Sequence, residues 1–205
     1  MPIALLVIAK APLPGRAKTR LCPPCSAEQA AALAESALLD TLDVVARTPA
    51  TRRVLVFDGD GERWCPPGFE LIAQRGDGLG ERLATAFEDV GEPALLVGMD
   101  TPQVTPDLLL SGIDALGRPE VDAVLGPAYD GGYWSVGLAR PAREVFTGVP
   151  MSEPGTYAAQ RTRIRQLGLR LHEQQRLRDV DTIADARAVA RQAPRSRFAT
   201  MLAAI

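Results

Sequence analysis

Residues 3–20 constrain the fold more than any other stretch of this chain. Ile3-Ala-Leu-Leu-Val-Ile-Ala9 is an unbroken aliphatic run, the pattern of a parallel strand buried on both faces. It passes directly into Lys10-Ala-Pro-Leu-Pro-Gly15-Arg16-Ala-Lys18-Thr-Arg20, a loop punctuated by proline and glycine that carries four cations. Open α/β sheets bind ligands beyond the carboxyl ends of their strands, so these cations stand where a phosphate would be gripped. Lys10, Lys18 and Arg20 are the candidate phosphate contacts, Gly15 shapes the turn, and Arg16 is read as solvated.

The rest of the chain repeats a strand–helix rhythm. Ser26 is a suitable N-cap for a helix over 27–46, with Leu33, Leu38, Leu39 and Leu42 at helical spacing. Strands are expected at 53–57, 69–73, 93–99, 121–125 and 132–138, and helices at 81–90, 106–116, 155–167 and 183–192. A short strand around 169–172 and a tail helix after Pro194 complete the reading. Alternation of this kind implies a mainly parallel sheet with helices on both faces. With 205 residues, 46% hydrophobic and 23% charged, one domain over 1–205 is expected.

A net charge of −2 argues against a nucleic-acid partner, which would require a basic face. No apolar run approaches the roughly 20 residues that span a bilayer, and Met1 to Ile8 lacks the charged start and cleavage site of an export signal. A cytoplasmic protein with no membrane partner is expected. Three cysteines make no disulfide framework. Cys22-Pro-Pro-Cys25, with only Cys65 and His172 as further soft ligands, is read as an incidental loop pair.

Several carboxylates could do chemistry. Asp100 ends the apolar strand before Thr101-Pro102, and a carboxylate beside a polyphosphate invites Mg²⁺ or Mn²⁺; a turn or cap role is the plainer reading. Asp179-Val-Asp181-Thr182 opens a helix, so Asp181 is either a cap or a second oxygen ligand near Asp100. Asp58-Gly-Asp60 resembles the Asp-x-Asp of metal-dependent glycosyltransferases but is read as a turn. The segment 126–134 joins two strands through Asp130-Gly131-Gly132, an element that lets a ligand approach the backbone. Tyr129, Tyr133 and Trp134 there are three of ten aromatic residues (five Phe, two Trp, three Tyr), available for stacking on a sugar or base or for the core.

Two nucleotide motifs are excluded. Gly15-Arg-Ala-Lys18-Thr19 lacks the glycine and lysine spacing of a P-loop. Gly76-x-Gly78-x-Gly80 has the wrong final spacing for a dinucleotide fingerprint, although backbone amides near Gly78 and Gly80 could read a base. One histidine, in a short apolar run, argues against Ser-His-Asp hydrolysis.

Taken together, Ala9-Lys10-Ala-Pro-x-Pro-Gly15-Arg-x-Lys18-Thr-Arg20-Leu, Gly78-Leu-Gly80-Glu-Arg82, Gly98-x-Asp100-x-Pro102, Leu125-Gly-Pro-Ala-x-Asp130-Gly-Gly-Tyr133 and Arg178-Asp-Val-Asp181-Thr182 resemble a bacterial family over about residues 3–190. It is the rSAM/selenodomain-associated transferase 1 type of the GT-A nucleotide-diphospho-sugar transferase superfamily. The resemblance implies a three-layer α/β/α Rossmann-like GT-A fold with a mainly parallel mixed sheet. It further implies a nucleotide crevice above the sheet, Asp100 as metal-binding aspartate and Asp181 as second ligand to Mg²⁺ or Mn²⁺. The first loop is also similar to that of 2-phospholactate guanylyltransferases, and the molybdenum-cofactor guanylyltransferases share the layout. The chain departs from the pattern at Gly78, where the family usually has Asp, and at Met151, where Trp is common.

The resulting expectation is a metal-dependent glycosyltransferase-like enzyme that takes a nucleotide-sugar and a small-molecule acceptor. Asp100, Asp130 and Lys18 form its catalytic set, with Asp130 the candidate base. Lys10, Gly15, Lys18, Arg20, Gly78, Gly80, Asp130, Gly131 and Gly132 bind the nucleotide, and Asp100 and Asp181 the metal. Nucleotidylyl transfer from an NTP to a phosphorylated small molecule is the alternative, and a non-catalytic nucleotide-binding module the third. A homodimer is left open.

Overall fold

A computed structural model of the chain describes residues 3–205; Met1 and Pro2, the first residues of the stretch read for an export signal, lie outside it. Seven strands form one sheet in the order β3-β2-β1-β4-β6-β5-β7. They are β1 (Ala4–Lys10), β2 (Arg53–Asp58), β3 (Glu70–Ala73), β4 (Ala94–Gly98), β5 (Ala123–Pro127), β6 (Tyr133–Leu138) and β7 (Leu171–Glu173). All neighbours pair in parallel except β6, which runs antiparallel between β4 and β5.

The helices are α1 (Ala27–Arg47), α2 (Leu79–Val90), α3 (Pro106–Leu116), α4 (Thr156–Gln166), α5 (Ile183–Gln192) and α6 (Arg197–Ala203). Side chains alternate across β1: Leu5 and Val7 pack with Leu38 and Leu42 of α1 and Leu109 and Leu116 of α3. Ala4 and Leu6 pack on the opposite face with Leu83 and Phe87 of α2 and Ile164 of α4. This period of two on a strand buried from both sides produces the three α/β/α layers. The outer side of α1, through Ala30, Leu33 and Ala37, buries a third cluster with Val189 of α5 and Phe198 of α6. Truncating a fully buried leucine such as Leu38 costs about 2–5 kcal/mol.

Helix starts are set by local chemistry. Ser26 accepts from Gln29 N–H and Gln29 returns the bond, closing a capping box on α1. Thr105 caps α3, with Pro106 in its first turn. Thr182, not Asp181, caps α5, through a box with Asp185. The cap reading of Asp181 is thereby removed, and its carboxylate is free for other contacts.

The strand order places the ligand-binding edge. From β1 the chain continues outward to β2 and β3, and β4 then returns to β1's other side, so the switch point lies between the carboxyl ends of β1 and β4. Because β6 runs antiparallel to β5, the loop joining them opens at that same edge, as does the segment after β7. No described helix is long and apolar enough to cross a membrane.

Candidate active site

Above the switch point lies a cleft of about 710 Å³ whose lining includes Lys10, Lys18, Arg20, Asp100, Asp130 and Asp181. The loop after β1 curls back through Gly15, whose φ of +72° is the left-handed turn expected of it. Lys18 also has left-handed backbone, φ 51° and ψ 38°, a conformation costing a non-glycine residue about 1–2 kcal/mol. It turns the side chain inward, where only 9% remains exposed.

The Lys18 ammonium lies 2.9 Å from Asp100 Oδ1 and 3.7 Å from Asp181 Oδ1. Arg20 Nη1 donates to Asp181 Oδ2 at 3.2 Å. A backbone bond from Val180 N–H to the Asp100 carbonyl, 3.0 Å, ties the two acidic segments together. The structure thus joins Lys18, Arg20, Asp100 and Asp181, four residues spread over more than 160 positions.

Asp179, which the motif reading passed over in favour of Asp181, belongs to the same group. Its Oδ1 is buried without a partner, and burial, reinforced by the charges of Asp130 and Asp100, pushes its carboxyl up to about 8. No local pattern marks it; the only signal was its place two residues from Asp181. Thr101 Oγ1 and Gln103 Oε1, on the segment that follows Asp100, are likewise buried and unpartnered among the described residues.

This arrangement fits a divalent cation. The donors are hard carboxylate oxygens, and Asp179 Oδ1 is an orphaned acceptor beside them. Among the described residues no three acidic, histidine or cysteine side chains form a ready-made cage. That is the situation of an ion held by one or two carboxylates and completed by substrate phosphates.

The other sequence-predicted residues are distributed as follows. Asp130 reaches the cleft, with its Oδ1 accepting from Gly132 N–H at 2.8 Å. Gly132 lines the cleft, but the close approach that Gly131 permits is by protein: φ is +93°, and a Cβ there would fall 1.9 Å from the Pro154 carbonyl oxygen. Gly78 is the extended N-cap of α2 and Gly80 packs beneath Met151; neither lines the cleft, whereas Leu79 and Arg82 do. Arg82 donates to Asp58 Oδ2 at 2.9 Å, so Asp58, read as a turn residue, ends β2 inside the cleft. Asp60 keeps the turn role, accepting from Glu62 N–H.

The three aromatic residues, open to stacking or to the core, divide between these roles. Trp134 is 2% exposed and donates from Nε1 to the Gln175 carbonyl, which makes it core and not a stacking platform. Tyr133 donates to Gln160 Oε1, and burial pushes its phenol up, which keeps it protonated. Tyr129 is exposed, beneath the guanidinium groups of Arg176 and Arg178. All three cysteines are free, and burial raises Cys25 and Cys65, which suits inert thiols.

Comparison with known proteins bears on this geometry. A family model described as an uncharacterized protein conserved in bacteria (DUF2064) matches residues 41–153, more than half of the chain. No curated protein matches. Among solved structures, a candidate nucleotide-diphospho-sugar transferase from Desulfovibrio desulfuricans G20 is 29% identical, with a TM-score of 0.88 over 98% of this chain and 94% of that one. CMP:2-keto-3-deoxy-manno-octonic acid synthetase complexed with CTP superposes with a TM-score of 0.59 at 12% identity, covering 95% and 99% of the two chains. Rv0371c from Mycobacterium tuberculosis in complex with manganese gives 0.55 at 19% identity, covering 92% and 98%. The fold is that of the nucleotide-diphospho-sugar transferases.

Proposed function

We propose, for a chain that belongs to the family of uncharacterized proteins conserved in bacteria (DUF2064), that the protein is a metal-dependent transferase moving a sugar from a nucleotide-sugar to a small-molecule acceptor. The observation that carries this reading is the contact of Lys18 with Asp100 and Asp181 at the β1/β4 switch point. Cations for a diphosphate and carboxylates for a divalent ion meet there in one cleft. The likeness to a candidate nucleotide-diphospho-sugar transferase supports it, and the sequence motifs favour the rSAM/selenodomain-associated type within that superfamily.

Asp100 and Asp181 would hold Mg²⁺ or Mn²⁺. When bound, the ion supplies charge neutralisation for the diphosphate leaving group. Lys10, Lys18 and Arg20 bind that diphosphate from the loop after β1, and Lys18, held by its backbone and by burial, is oriented before the donor arrives. The acceptor oxygen bonds to the anomeric carbon as the bond from that carbon to the phosphate oxygen breaks, its electron pair leaving with the nucleoside diphosphate. The acceptor's proton passes to Asp130, whose Oδ1 is fixed by Gly132 N–H, leaving Oδ2 for the proton.

Nucleotidylyl transfer is the second reading, favoured by the likeness of the fold to a synthetase complexed with CTP. Identifying the released group separates the two. The proposal expects nucleoside diphosphate from a nucleotide-sugar and no pyrophosphate from an NTP; pyrophosphate release that depends on an added phosphorylated compound would transfer the assignment to the second reading.

A further inference from the structure

The charges of the cleft are sorted along the strand order. Its cations, Lys10, Arg16, Lys18, Arg20 and Arg82, all come from the end of β1, the loop after it or α2, on the β3-β2-β1 side of the sheet. Asp58 is the one carboxylate lining that half, and Arg82 pairs with it at 2.9 Å. Beyond β4 the sign reverses. Asp100 follows β4, Asp130 lies between β5 and β6, Asp181 follows β7, and Glu153 stands on the segment before α4. Among the described residues, no lysine or arginine of the cleft lining comes from the segments of this second half. Lys18 and Arg20 reach across the boundary, and both are engaged there, Lys18 by Asp100 and Asp181 and Arg20 by Asp181.

The second half is also built to hold its shape. Thr156 Oγ1 donates to the Pro150 carbonyl at 2.9 Å and accepts from Glu153 N–H at 3.0 Å, while Tyr157 N–H donates to the Gly131 carbonyl at 2.8 Å. Ser152 sits between them at φ 61°; it and Lys18 are the only non-glycine residues of positive φ among the described residues. Strained backbone held by its surroundings is characteristic of ligand clamps.

From this sorting we infer that the acceptor is an uncharged, hydroxyl-bearing small molecule, with no phosphate or carboxylate of its own. The inference rests on the transferase reading above and names the substrate class of that same site. A carboxylate is an acceptor-only group, so Asp130 and Glu153 receive O–H donors through charge-assisted hydrogen bonds. An anionic substrate placed there faces like charges with no cation of the cleft lining to offset them, since Arg176 and Arg178 lie over Tyr129 and outside that lining. An ion on Asp100 and Asp181 leaves Asp130 and Glu153 uncompensated. The same sorting disfavours a phosphate attacking from this half, as the second reading requires.

The test uses inorganic phosphate as the probe, titrated into the full chain with backbone amides followed by NMR. Amides of residues 15–20 report the donor half, and those of 131, 132, 153 and 156 the acceptor half. The expected result is a saturating shift in the first set and none in the second. In the Asp130→Lys/Glu153→Lys double variant, the second set begins to respond. Phosphate-dependent shifts at 131, 132, 153 and 156 in the unmodified protein overturn the inference. So does a double variant that still ignores phosphate, because charge is then not what excludes the anion. Silence at residues 15–20 instead defeats the phosphate grip, and with it the functional reading beneath.

Discussion

The Lys18 ammonium and the Asp100 carboxylate meet at 2.9 Å, with the lysine side chain 9% exposed and its backbone left-handed. On the proposed reading the same carboxylates receive a divalent ion, so the buried cation and that ion would compete for the same oxygens. Lys18→Met removes the competitor while keeping most of the side chain's bulk. In the absence of nucleotide, Mn²⁺ binding followed by electron paramagnetic resonance should tighten about 10-fold, equivalent to about 1.4 kcal/mol. Nucleotide binding should weaken in the same variant, and unchanged or weaker Mn²⁺ binding would remove the competition from the account.

Gly131 is held at φ +93° with the Pro154 carbonyl oxygen 1.9 Å from where a Cβ would stand. Gly131→Ala must therefore push the loop between β5 and β6 away from the segment before α4. A loss of about 2–4 kcal/mol is expected from strain at a special backbone position, or a Tm lower by roughly 4–8 °C at the lower end of that range. Gly15→Ala, at φ +72° in open space, should cost about 1 kcal/mol. Equal losses in calorimetry would show that the Pro154 approach contributes nothing.

Acid stability is predicted from Asp122. Arg170 holds it through side-chain and backbone hydrogen bonds, lowering its carboxyl from the ordinary 3.8 to about 2. A carboxyl depressed in the folded state adds stability that is fully present above the unfolded value near 4 and is lost as pH falls through about 2. Solvent reaches both partners, which limits the pair to about 1 kcal/mol. Urea unfolding should show Asp122→Asn weaker than wild type by that amount at pH 6, with the gap closing towards pH 2. A gap independent of pH would contradict the assignment.

The sequence was most legible where the physics is local. Helices α3 and α5 begin and end where their caps and periodicity place them, and β1 reads as buried because its burial from both faces leaves no alternation to interpret. The Glu81 start expected for α2 falls two residues late, because Gly78 caps the helix without a side chain that would announce it. What depends on distant pairing was not legible. Antiparallel β6 between β4 and β5 is fixed by contacts across the sheet, and Asp179 acquires its character from burial in the folded chain, reinforced by the charges of Asp130 and Asp100. Stacking and core both stood open for Trp134, and the core role is set by such a pairing, since its indole donates to the carbonyl of Gln175, 41 positions away. Asp100 and Lys18 were readable because strand ends and loop cations signal themselves in order along the chain.

The central claim is that this cleft binds a nucleotide through a divalent ion on Asp100. Its most direct measurement is a thermal-shift comparison of wild type and Asp100→Ala across nucleoside diphosphates and nucleotide-sugars, with Mn²⁺ or with EDTA. A ligand that binds only the folded state raises Tm by mass action, by about 2.7 kcal/mol of added stability at 100 times its Kd. The account predicts a Tm rise in wild type that requires Mn²⁺, and an Asp100→Ala protein that folds but shows no Mn²⁺-dependent rise. A nucleotide-induced rise of equal size in both proteins, indifferent to EDTA, would contradict it.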